Sequence, residues 1–100
     1  MSEEAWGFAP PPFRVDDALQ GLKRELRALG LSEREGAWER RGVRIAQARI
    51  NDAAILAGRV KRPSRNSPEW QMRALRSSAD VRDFLADLKK QLALWSDHDD

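Results

Sequence analysis

Apolar residues along this 100-residue chain form two helical stripes, separated by a middle stretch in which two periods compete. Val15, Ala18, Leu19, Leu22, Leu26 and Leu29 recur at three- and four-residue intervals, which puts them on one face of a helix over Asp16 to Leu29. Asp16 and Asp17 stand at the positive end of its dipole. Gly30 offers a left-handed stop, and Leu31 can close an apolar contact back onto the last turn. A second stripe runs through Val81, Phe84, Leu85, Leu88, Leu92 and Trp95. Ser77 or Ser78 suits its N-cap, and Ser77 with Asp80 has the spacing of a capping box, with Asp in the place of Glu. Asp80 and Asp83 near its start and Lys89 and Lys90 near its end complement the dipole.

Between the helices, Val43, Ala46, Ile50, Ala53 and Ala57 would make a helical stripe. The β-branched Val43, Ile45, Ile50, Ile55 and Val60, with a natural turn at Asn51-Asp52, favour strands instead. The prediction is a hairpin over Val43 to Ile50 and Ala54 to Arg62, preceded by a short strand around Trp38. The stretch from Pro63 to Pro68 reads as a loop. A last strand follows, in which Trp70, Met72 and Ala74 alternate with Gln71, Arg73 and Leu75, and Trp38 and Trp70 are expected in the core. Turned outward, Trp70 would offer a base-stacking platform. Glu33 and Glu35 are expected in a solvated turn. The fold class is therefore α+β: an N-terminal helix, a three- to four-stranded antiparallel meander and a C-terminal helix, with both helices on one face of the sheet. That order, over residues 15 to 95, resembles in topology a double-stranded-RNA-binding domain. Such a domain sets a lysine-rich helix N-terminus on phosphates, whereas here the second helix opens with the acidic Ser78, Ala79, Asp80, Val81, Arg82, Asp83, so no family is assigned.

Composition narrows the architecture to one domain over residues 14 to 96. Fourteen of the apolar residues are alanine, and Leu, Ile, Val and Phe total only 21, which makes a thin core. Trp6, Trp38, Trp70 and Trp95 offset this, because each buries a large area. Residues 1 to 13 hold the triplet Pro10, Pro11, Pro12 and are expected to form a flexible, extended arm. Its Trp6, Phe8 and Phe13 either fold back onto the domain or anchor a partner. Residues 97 to 100 form an acidic tail. There is no cysteine, hence neither disulfide nor thiolate chemistry. No apolar run approaches a membrane span, and the acidic Glu3 and Glu4 are unlike a signal peptide, so a cytoplasmic location and no membrane partner are expected.

Charge is distributed unevenly along the chain. From Arg40 to Arg76 ten basic residues face two acidic ones, a segment charge of +8, while each flank carries −3 and the total is only +2. Such a field recruits polyanions or acidic protein surfaces. Catalytic constellations are absent from the sequence. The sole histidine, His98, lies among aspartates in the tail; the pairs Asp16/Asp17, Glu33/Glu35 and Asp83/Asp87 have helix-end, turn or ion-pair roles; and no glycine-rich phosphate loop or serine elbow can be written onto the chain. No enzyme activity, cofactor, metal or small-molecule substrate is expected. The expected function is a non-catalytic binding or interaction module of unidentified role. Arg59, Lys61, Arg62, Arg65 and Arg73 would contact nucleic-acid phosphates, and Trp6, Phe8 and Phe13 would serve as partner anchors. The alternative is protein interaction or homo-oligomeric assembly without nucleic acid, on an acidic surface or a second copy.

Overall fold

A computed structural model of the chain describes residues 13–97. Helix α1 (Val15–Ala28) buries Leu19, Leu22 and Leu26, the predicted stripe. It ends in a Schellman motif: the Gly30 N–H donates to the Arg27 carbonyl (3.0 Å) and the Leu31 N–H to the Leu26 carbonyl (3.2 Å), with Gly30 at φ +89°. Leu31 is buried, which ties the exit of the helix to the core.

Five strands follow: β1 (Ser32–Arg34), β2 (Ala37–Arg40), β3 (Val43–Asn51), β4 (Ala54–Val60) and β5 (Trp70–Leu75). They pair antiparallel in sequence order, β1-β2-β3-β4-β5. The meander is therefore right in kind and corrected in number, from three or four strands to five. The additional strand is β1, in the stretch expected as a solvated turn. It is built by the dipeptide Glu35-Gly36, whose φ angles of +52° and +80° make a two-residue turn that pairs Arg34 with Ala37. Arg41-Gly42, at +56° and +79°, does the same between β2 and β3, pairing Arg40 with Val43. Left-handed values at both central residues match the right-handed twist of strands in tight hairpins. The expected Val43–Arg62 hairpin is present as β3 and β4, in register from Ala46 opposite Arg59 to Asn51 opposite Ala54.

One irregularity matters. In the β2–β3 ladder Trp38 faces Ala46 but Glu39 faces Arg44, so Ile45 is an extra residue on β3. Such a bulge re-aims side chains, and here both Ile45 and Ala46 are buried.

Helix α2 (Ser78–Asp97) starts as the capping spacing predicts. Ser77 Oγ accepts the Asp80 N–H (3.1 Å), while the Asp80 carboxylate reaches one residue further back than a capping box requires and accepts the Arg76 N–H (2.9 Å). One contiguous core joins Leu19, Leu22 and Leu26 of α1 with Phe84, Leu85, Leu88 and Leu92 of α2 and with Trp38, Ile45, Ile55, Ala57, Val60 and Leu75 of the sheet. Trp38 is fully buried, beneath the Arg27 guanidinium at 5.5 Å from its ring centroid. On β5 the burial phase differs from expectation. Leu75 is fully buried and Trp70 half-buried, but Met72 is 40% exposed. The buried side changes phase along the strand: Trp70 stands opposite the core residue Val60 at one end and Leu75 opposite the core residue Ile55 at the other, with Met72 opposite Gly58 between them. Phe13, the described residue of the aromatic arm, is half-buried and packs against the core; Trp6 and Phe8 lie outside the described residues.

Candidate nucleic-acid interface

Three segments far apart in sequence meet at one end of the sheet. The tip of the β2–β3 hairpin brings Arg40, Arg41, Val43 and Ile45; the loop after β4 brings Arg62, Pro63, Ser64 and Arg65; and the last turns of α2 bring Trp95. Together they line a cleft of about 420 Å³. The turn geometry of Arg41-Gly42 projects the first pair of arginines, and the β3 bulge delivers Ile45 to the floor. Trp95 is half-buried, packed against the core on one side and lining the cleft on the other.

The loop between β4 and β5 is not loose. Its neck is closed by the Lys61 N–H donating to the Glu69 carbonyl (2.9 Å). Its apex is folded around Ser64, whose Oγ accepts the N–H groups of Asn66 (3.3 Å) and Ser67 (3.1 Å). Pro63 and Pro68 restrict φ at both shoulders. Arg65 thus leaves a defined backbone. The hairpin and α2 are tied in turn by Arg40 Nη1, which donates to Ser96 Oγ (3.0 Å).

Arg62 and Arg65 of the predicted basic set line this cleft, joined by Arg40 and Arg41, and none of the described lining residues is acidic. Lys61 is exposed beside Arg62 without lining the cleft. The other two predicted cations lie elsewhere. Arg59 turns to α2: its Nε donates to Asp87 Oδ2 at 2.5 Å and its Nη1 to the Val60 carbonyl at 3.0 Å, leaving 13% of the side chain exposed. Arg73 is exposed on the edge strand β5, opposite Ala57. Trp70 pairs with Val60 and packs on the core, so the tryptophan at the basic surface is Trp95, which the sequence places only on the apolar stripe of the second helix.

A second depression of about 320 Å³ adjoins the first, sharing Val43, Ser64 and Arg65 and adding Arg44, Asn66, Pro68 and Glu39. Arg65 stands between the two. Arginine outnumbers lysine throughout, and its planar fork suits bidentate contacts with phosphate or carboxylate oxygens. Among the described residues no group of three or more His, Cys, Asp or Glu side chains is placed to hold a metal, and no helix is long and apolar enough to cross a membrane. No protein-family model, curated protein or solved structure matches this chain.

Proposed function

We propose that this protein is a non-catalytic binding module whose cleft at the hairpin tip, lined by Arg40, Arg41, Arg62 and Arg65, holds nucleic-acid phosphates. The observation that carries the reading is the convergence of four arginines from two separate segments on one concavity with no carboxylate among its described lining residues. A concave wall of low polarizability behind such a cluster focuses its positive field outward and raises the local concentration of polyanions. Lys61 and Arg44 extend the field at the rim. Part of the same reading is that both helices lie on one face of the sheet, which leaves the hairpin tip and the β4–β5 loop open at the end where α2 finishes. The shared core of α1, α2 and the sheet supports that arrangement. A cytoplasmic setting, where nucleic acid is at hand, agrees with a chain that has no cysteine.

The test is charge reversal. Arg62→Glu with Arg65→Glu is expected to weaken binding to labelled DNA or RNA at least tenfold, because each removes a phosphate contact and adds a repulsion. The double variant should unfold at the wild-type midpoint, since both side chains are exposed in a loop. Undiminished affinity in a folded double variant would overturn the reading.

One observation favours a second reading, self-association through the sheet. Met72, 40% exposed on an edge strand, lies over Gly58 beside the half-buried Leu56 and Ala74. Sedimentation at high concentration tests it: a monomer throughout, unchanged by Met72→Lys, would remove it.

A further inference from the structure

Two features of the basic cleft are not needed to hold phosphates, and both concern shape. The first is its floor. A duplex offers phosphates on a convex, rigid rod whose base faces are hidden by stacking, and a flat or ridged basic surface suffices to meet its backbone. Here the arginines surround a concavity backed by Trp95, Val43 and Ile45. Apolar and aromatic lining inside a basic rim matches a ligand with a planar apolar part joined to an anionic part. The second is continuity. The neighbouring depression shares Val43, Ser64 and Arg65 with the cleft and is lined further by one arginine, Arg44, and one carboxylate, Glu39. Two concavities on either side of one guanidinium fit a chain that repeats, with an anionic link between consecutive units at Arg65.

We infer that the cleft takes an unpaired base of a single-stranded nucleic acid against Trp95, while the adjoining depression takes the neighbouring nucleotide of the same strand and Arg65 holds the phosphate between them. This rests on the phosphate-binding reading above and sharpens it from polyanions in general to single strands. Base stacking on an aromatic ring tolerates any sequence, because every base has a π-face, so little sequence preference is expected.

The test first varies the ligand on the unchanged protein and then adds one variant. Fluorescence anisotropy is measured for three labelled probes, a short single strand, the same length of duplex and a single strand of equal charge with abasic positions, with a mononucleotide as unlabelled competitor. The single strand is expected to bind at least about tenfold tighter than either the duplex or the abasic strand, the scale of one stacked base. The mononucleotide should displace it only at far higher concentration. Trp95→Leu, which keeps an apolar residue against the core, should erase the preference for bases over abasic sites while retaining the salt-sensitive phosphate affinity. Equal binding of duplex, abasic and intact single strands would overturn this inference and leave phosphate binding standing. A mononucleotide that competes at equal concentration would reassign the cleft to a soluble nucleotide and likewise overturn it. Failure of every probe to bind at low salt would remove the phosphate reading itself.

Discussion

Arg59 and Arg62 are three residues apart, yet the fold gives them opposite tasks. Arg59 donates to Asp87 and to the Val60 carbonyl with little of its side chain in water, so its charge is answered inside the molecule. Removing its carboxylate partner leaves a largely desolvated guanidinium with one acceptor, and such unpaired groups are costly even when the pair itself contributes little. Asp87→Ala is therefore expected to lower stability by about 1–3 kcal/mol in urea unfolding, with nucleic-acid affinity changed less than twofold. Affinity falling together with stability would place Arg59 back in the interface. Glu35 tests the turn chemistry in the opposite direction. It holds φ +52° in a hairpin turn where asparagine sits at lower cost, so Glu35→Asn should raise stability by about 0.5–1 kcal/mol. A decrease would mean that the Glu35 side chain contributes a contact outweighing its backbone strain.

Among the elements, both helices were legible from the sequence because their apolar spacing and one capped end each agree. The end charges fit α1 but not the close of α2, which runs on past Lys89 and Lys90 to Asp97 and has no basic residue in its last turn. Leu19, Leu22 and Leu26 are buried, Gly30 closes the Schellman motif, and Ser77 caps α2. The sheet was legible only in part. Its longest hairpin followed from β-branched residues, but the turn dipeptides Glu35-Gly36 and Arg41-Gly42, spaced to bracket a four-residue strand, carried the missing information about β1. Their first residues are not the asparagine or aspartate that normally announces such a turn. The phase of β5 escaped for another reason. Its two alternating sets each send one end residue to the core, Trp70 opposite Val60 and Leu75 opposite Ile55, so no single alternation describes the strand and only its register against β4 shows this. That register depends on Gly58: a Cβ there would lie 2.8 Å from the Gln71 carbonyl oxygen and collide with the Met72 sulfur. Gly58→Ala should therefore push β5 away from β4 and cost about 1–3 kcal/mol, with amide exchange accelerating first at Gln71 and Met72. An unchanged exchange pattern would contradict the close approach of these strands.

For the whole molecule, the uneven charge along the chain is the feature that survives folding, although not in the form that linear density suggests. Arg62 and Arg65 could be picked from the sequence because they cluster. Arg40, Arg41 and Trp95 could not be joined to them, since only the meander and the course of α2 bring residues 40, 62 and 95 to one cleft. Arg59, equally prominent in the sequence, is withdrawn by a carboxylate 28 residues away. An electrostatic site for nucleic-acid phosphates must lose affinity for a short single strand as salt is raised. Phosphate contacts from Arg40, Arg62 and Arg65 predict a log–log slope of about −2, at roughly 0.7 per phosphate for single strands, falling to about a third of that in Arg62→Glu/Arg65→Glu. A slope near zero, or no binding at low salt, would contradict the account and leave the arginine-lined cleft without an electrostatic role in binding nucleic acid.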